Sequence, residues 1–82
     1  MKNKYTPIDC RIYERYELAI MHRQRLMLRW QDGDGITHLE TMTPRDLKTE
    51  AGEEFLLAET SKGELRRLRL DKILRAETLN AR

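Results

Sequence analysis

Residues 24–42 read "QRLMLRWQDGDGITHLETM", and the strand and turn signals of the chain are clearest in this stretch. Leu26, Leu28 and Trp30 recur at every second position. A period of two places alternate side chains on opposite faces of a strand. The "DGDG" of residues 32–35 tolerates the positive φ angles of a hairpin turn. The stretch therefore predicts two antiparallel strands joined by a tight turn.

Three further strands are predicted along the rest of the chain. We expect Pro44 to end the second strand, and "RDLKTEAGEE" (45–54) is typical of a turn or a single helical turn. The third, fourth and fifth strands are "FLLAET" (55–60), "LRRLRL" (65–70) and "ILRAETL" (73–79). The "SKGE" between the third and the fourth has the composition of a turn.

An amphipathic helix is predicted before the strands, over residues 9–21. Tyrosine and isoleucine side chains recur along it at spacings of three and four, which gives the helix one apolar side. Asp9 is a suitable N-cap, whereas Thr6 followed by Pro7 is a rival start. Residues 1–8 have little periodicity and are predicted to be a flexible arm.

The predicted fold is mostly β with one N-terminal helix: a small five-stranded antiparallel Sm-like (SH3-like) barrel. A single domain is expected over residues 1–82, with the barrel over residues 24–79. Amphipathic tyrosines suit a helix that covers one open end of a barrel. The predicted core consists of Leu26, Leu28, Trp30, Ile36, Leu39, Leu56, Leu65, Leu68, Leu70 and Ile73.

Charge is distributed unevenly along the chain. Residues 1–31 carry seven basic and three acidic side chains, residues 32–59 carry two and eight, and residues 60–82 carry seven and three. An acidic middle between basic ends can produce opposed electrostatic faces after folding. A solvated surface of mixed charge is the plainer alternative.

Several classes of function are disfavoured by what the sequence lacks. No apolar run approaches the roughly 20 residues of a membrane span, and "MKNKYTPID" has no signal-peptide core, so a cytoplasmic protein without membrane contact is expected. Cys10 is the only cysteine and is expected to be a buried structural residue in a reducing compartment. His22 and His38 match no zinc spacing, so no metal or cofactor is expected. The sequence contains no phosphate-binding loop and no paired nucleophile and base, so an enzyme is not expected.

The basic run "ELRRLRLDK" (64–72) is the candidate nucleic-acid surface. Its cations could contact phosphates, but base stacking requires exposed aromatic rings, and the aromatic residues of the strands are expected in the core. Two interpretations remain open. One is a small Sm-like RNA-binding module that uses Arg66, Arg67, Arg69 and Lys72, and the other is pairing of these cations with carboxylates of the same molecule.

Three motifs connect the chain to a known family. They are "YTPIDC..YE.YELA" at residues 5–19, "LMLRW.DG" at residues 26–33 and "LRLDKI" at residues 68–73. In this order they resemble the Rof family of bacterial Rho-binding antiterminators, over about residues 5–74. The resemblance implies an Sm-like barrel with an N-terminal helix.

The resemblance also implies a function. Members of this family bind the N-terminal, primary RNA-binding region of the Rho termination helicase and keep nascent RNA off it, so that termination is suppressed. A site that attracts phosphates also attracts carboxylates. The expected partner-binding residues are Asp9, Tyr13, Glu14, Glu17, Asp32 and Asp34. Asp9 has the helix cap as a second role, and Arg11 and Ile12 stand where the family tends to have further acidic residues.

The oligomeric state depends on the edges of the sheet. An open edge either pairs with another chain or is protected by charged side chains. A monomer is expected, and the sequence leaves the alternative open.

Overall fold

A computed structural model describes residues 4–79. Its elements are helix α1 (Cys10–Met21) and strands β1 (Leu26–Gln31), β2 (Thr37–Glu50), β3 (Glu53–Thr60), β4 (Leu65–Arg69) and β5 (Ile73–Thr78). A single 3-10 turn, Leu70–Lys72, connects the last two strands. Residues 1–3 of the predicted arm and residues 80–82 of the predicted domain lie outside the described residues.

The strands form one antiparallel sheet in the order β4-β3-β2-β1-β5. Gly35 has a φ of 79° in the turn between β1 and β2, as the Asp-Gly pairs predict. The predicted mostly β fold with an N-terminal helix is confirmed. Among the described strands β4 and β5 are the two edges of the sheet, which is not closed.

Helix α1 begins after Asp9, whose carboxylate accepts a hydrogen bond from the Arg11 amide at 2.8 Å. This N-cap satisfies one of the free amides of the first turn and places the start at Asp9 rather than Thr6. Tyr16 and Ala19 are buried against the sheet. The position of the helix over the sheet is therefore set by these two side chains.

The predicted end of the second strand at Pro44 is wrong. β2 continues through the buried Pro44 to Glu50, and Arg45 is the extra residue of a bulge opposite β3. A bulge tolerates the missing amide hydrogen of proline. The predicted turn over residues 45–54 shrinks to Ala51 and Gly52, whose φ angles of 53° and 78° are typical of a two-residue hairpin turn.

The predicted core is partly wrong. Ile36, Leu39 and Leu65 are 57%, 60% and 68% exposed. The register of β1 and β2 explains Leu39, because it lies opposite the exposed Arg29 and thus on the outer face. The observed core consists of Tyr16, Ala19, Leu26, Leu28, Trp30, Met42, Leu56, Ala58, Leu68 and Leu70.

Cys10 is exposed, so the prediction of a buried structural cysteine is wrong. It is the first residue of α1 and lies two turns before the buried Tyr16 and Ala19. At 100° per residue, Cys10 lies on the side of the helix opposite the buried Ala19, and it therefore faces solvent.

The segment before the helix is attached to the sheet. The Tyr5 hydroxyl donates to Glu54 Oε1 at 2.7 Å, and the Thr6 amide donates to Asp71 Oδ2 at 2.9 Å. Tyr5 and Ile8 also pack against the core cluster. Residues 4–8 of the predicted flexible arm thus bridge α1 to β3 and to the 3-10 turn.

Candidate partner-binding surface

Carboxylates from three elements act electrostatically on the half-buried Tyr13 of α1. Glu17 belongs to the same helix, Asp46 to β2 and Glu54 to β3. Burial, followed by the negative charges of these three groups, raises the pKa of the Tyr13 phenol. We call these four residues the Tyr13 surface.

Local structure explains why these carboxylates meet. Glu17 follows Tyr13 by four residues and therefore lies one helical turn away on the same side. Asp46 directly follows the β2 bulge, and its own carboxylate accepts a hydrogen bond from the Leu47 amide at 2.8 Å. Glu54 is oriented by the Tyr5 hydroxyl.

An open groove of about 400 Å³ runs beside Tyr13. It is lined by Tyr13, Glu17, Ile20, Met21, Asp46 and Leu47. Its lining combines aliphatic side chains with two carboxylates and contains no lysine or arginine. Such a groove suits a long basic side chain, because the methylene stem can contact the aliphatic residues while the charged end meets a carboxylate.

The two other predicted helix residues differ in their surroundings. Glu14 is exposed, and because it precedes Glu17 by three residues the two lie next to each other on the helix. Hydrogen bonds from the Arg11 amide and then from its side chain lower the pKa of Asp9. The Asp9 carboxylate is 48% exposed even as it caps the helix, so the two roles predicted for it are sterically compatible.

Asp32 and Asp34 lie in the turn between β1 and β2. Asp32 Oδ1 accepts hydrogen bonds from the Asp34 and Ile36 amides at 2.9 and 3.0 Å. Asp32 Oδ2 is 2.7 Å from His38 Nε2, and this contact is the main reason that the pKa of Asp32 is lowered. Asp32 therefore shapes the turn, and the neighbouring groove places it near Arg67 and Lys72 rather than beside the Tyr13 surface.

The three arginines of β4 all have carboxylate partners. Arg66 is 3.4 Å from Glu64 and 3.8 Å from Glu40, and Arg67 forms an ion pair with Glu50. Arg69 donates two hydrogen bonds to Asp71, at 2.6 and 2.7 Å. The Arg67 guanidinium also lies 4.0 Å from the centre of the Phe55 ring. These contacts match the intramolecular pairing that is the expected alternative to an RNA-binding role.

Asp46 and Glu54 were missed by sequence reasoning. Both residues lie in the segment 45–54, which the sequence pattern predicts as a turn because Pro44 is expected to end the second strand. The bulge that aims Asp46 at the helix has no clear signature in the sequence.

The described residues contain neither a metal site nor a membrane-spanning helix. Within residues 4–79, no three His, Cys, Asp or Glu side chains are arranged to hold a metal ion. The one described helix is too short and too polar to cross a membrane.

Comparison with known proteins places the chain in a family. The family model "Modulator of Rho-dependent transcription termination (ROF)" matches residues 7–82. The chain belongs to the ROF family. It is 38% identical over 73 residues to "Protein rof" of Escherichia coli (strain K12), covering 89% of this chain and 81% of the relative. "Protein rof" of Shigella flexneri gives the same values. The resemblance stated from the sequence motifs is thereby confirmed, and the family is one of modulators of Rho-dependent termination.

A solved structure supports the fold alone. The chain superimposes on part of "Proteasome accessory factor B/C (PafBC) of Arthrobacter aurescens" with a TM-score of 0.77 and 20% sequence identity. The match covers 96% of this chain but only 13% of that protein. At this identity, the likeness concerns the backbone architecture and not the function.

Proposed function

We propose that this protein suppresses Rho-dependent termination by binding the N-terminal, primary RNA-binding region of Rho and excluding RNA from it. The contact is made by the Tyr13 surface together with Asp9 and Glu14. Asp32 and Asp34 are secondary candidates because they lie in a separate turn. The protein acts as a binding partner in the cytoplasm, without catalysis or a cofactor.

The observation that carries this proposal is the convergence of Glu17, Asp46 and Glu54 on Tyr13. An RNA-binding site attracts phosphates with cations, and a cluster of carboxylates presents the same sign of charge to it. Interfacial charge of this kind accelerates encounter and fixes orientation. A protein seated there occupies the space that the RNA backbone needs.

The groove beside Tyr13 adds a steric element to this charge complementarity. Its aliphatic residues, such as Ile20 and Leu47, contact the stem of a basic side chain whose charged end reaches Glu17 or Asp46. Tyr13 supplies an aromatic ring, a residue type that often anchors protein interfaces. The surface thus accepts a cationic protein segment better than a nucleic acid.

The alternative, a direct RNA-binding module, is less well supported. The β4 arginines that it requires are engaged by Glu50, Glu64 and Asp71. RNA phosphates would have to displace these carboxylates, which reduces the gain from each contact. The overall formal charge of +2 adds little long-range attraction.

A two-part titration with a fluorescent oligopyrimidine separates the two functions. In the first part, the labelled RNA is titrated with this protein alone, and no salt-sensitive binding is expected. In the second part, the protein is added to the RNA complex of its cognate Rho, and release of RNA is expected. Salt-sensitive binding of RNA in the first part, together with no release of RNA from Rho in the second part, would favour the RNA-binding module instead.

A further inference from the structure

The two edges of the sheet are protected in different ways. β4 carries the paired arginines, and charged side chains on an edge strand discourage pairing with another chain. β5 pairs with β1 on one side, and within residues 4–79 no strand covers its other side. Its backbone groups on that side are a template for another strand.

Exposed apolar residues accompany the free edge of β5. A groove of about 490 Å³ lies between α1 and β5. Three of its lining residues are unusually accessible: Ile12 is 43%, Leu18 52% and Leu74 53% exposed. A cluster of exposed apolar side chains at a free strand edge is typical of an interaction site.

The charges on β5 are complementary to a second copy of the same strand. Arg75 lies opposite Arg29 of β1, and like charges in this position are unfavourable. Arg75 Nη2 is 2.7 Å from Glu77 Oε2 on the same strand. In an antiparallel pair centred on Ala76, Arg75 of each copy lies opposite Glu77 of the other copy. The second copy thus adds a carboxylate to the side of Arg75 that faces away from Arg29.

We propose that β5 pairs with β5 of a second copy, antiparallel and centred on Ala76, and forms a symmetric dimer. A two-fold axis makes each contact occur twice, which is the common form of a homodimer interface. Leu74 is the extra residue of a bulge opposite β1, so the regular pairing covers residues 75–77 and Leu74 lies at its end. Pairing of β5 with β4 is disfavoured because it brings the β4 arginines towards Arg75.

Sedimentation equilibrium on the full chain without Rho tests this pairing. The wild-type protein is expected to dimerise with a dissociation constant on the order of 100 μM, as befits a small interface. Arg75→Glu or Glu77→Arg alone creates two like-charge contacts and is expected to weaken dimerisation by about tenfold or more. The double variant R75E/E77R restores both opposite-charge contacts and is expected to dimerise about as well as the wild type.

A control and a second measurement make the test specific. R45E reverses an arginine of similar exposure in the Arg45–Glu59 pair of β2 and β3, and should leave dimerisation unchanged. NMR spectra of the wild type at increasing concentration should show shifts in the amides of residues 74–78. A wild type that stays monomeric at about 1 mM, or a folded R75E/E77R that fails to dimerise, would overturn the proposal. A dimer without shifts in residues 74–78 would overturn it as well.

Discussion

The Tyr13 surface and the β4 arginines are both charged, yet they differ in how the charge is used. Each β4 arginine has a carboxylate neighbour within the protein, so little of that positive charge is available to a partner. Burial and then the negative charges of Glu54, Glu17 and Asp46 instead raise the pKa of Tyr13, and no cation among the described residues lines the groove beside it. A slightly basic protein can therefore present an acidic docking surface, because the pairing of charges matters more than their number.

The largest loss of Rho binding is expected when the charge of the helix carboxylates is reversed. Glu14→Lys with Glu17→Lys places two cations against a basic RNA-binding site. We expect Rho binding to fall by about 30- to 900-fold, equivalent to about 2 to 4 kcal/mol. The melting temperature should change little, because both side chains are exposed. Isothermal titration against Rho measures the effect.

The matched control for that double variant is E50K/E64K. It changes the net charge by the same amount but alters carboxylates that pair with the β4 arginines. Rho binding by this control should stay within about threefold of the wild type. Equal losses in both double variants would mean that total charge, and not the Tyr13 surface, governs binding.

The buried Tyr16, where α1 packs on the sheet, gives a separate prediction about pH. Burial raises the pKa of Tyr16 to about 12, above the value of about 10 expected in the unfolded chain. The neutral phenol therefore favours the folded state. Its contribution is complete below pH 10 and is lost as the pH rises towards 12, on the order of 2 kcal/mol in the free energy of unfolding.

Denaturant unfolding of Tyr16→Phe between pH 9 and pH 12 checks this. The variant should lose less stability over that interval than the wild type, because phenylalanine has no proton to release. Identical pH dependence in the two proteins would show that burial does not hold the proton on Tyr16, and that α1 packs less tightly on the sheet than described.

Removal of a single negative charge from the Tyr13 surface should cause a smaller loss of Rho binding. Asp46→Asn keeps an acceptor for the Leu47 amide while it removes the negative charge. We expect Rho binding to weaken by about 3- to 10-fold. Asp34→Asn, in the turn between β1 and β2, is the reference and should have a smaller effect. A larger loss for Asp34→Asn would move the contact surface to that turn.

The smallest effect on Rho binding is expected from substitution of the β4 arginines. Arg66→Ala with Arg67→Ala removes two cations that already have partners in the protein, so Rho binding should change by less than about twofold. Fluorescence anisotropy with an oligopyrimidine should show no RNA binding before or after the change. A measurable RNA affinity that disappears in this variant would support the RNA-binding module.

Local patterns in the sequence predicted the elements better than the surfaces. Alternation at Leu26, Leu28 and Trp30 and the cap at Asp9 depend on nearby residues, and the structure agrees with both. The course of β2 beyond Pro44 depends on its register with β3, which a single strand does not encode. The same register places Asp46 and Glu54, two of the four residues of the Tyr13 surface, in paired strands rather than in the predicted turn.

The exposures of Leu39 and Cys10 have the same kind of cause. Leu39 has the composition of a core residue, but the pairing of β1 with β2 turns it to the outer face. Cys10 is a residue type that is usually buried, but it falls on the first turn of a helix whose contacts begin further along. In both cases, tertiary arrangement overrides the preference of the residue type.

Reciprocal competition on Rho shows whether this protein and RNA occupy the same site. Labelled protein is titrated with Rho at increasing concentrations of unlabelled oligopyrimidine. If both occupy the same site, the apparent dissociation constant of the protein rises in proportion to the RNA concentration and does not level off. An apparent dissociation constant that is unchanged, or that reaches a plateau, would mean that Rho binds the protein and RNA together, and would contradict the account.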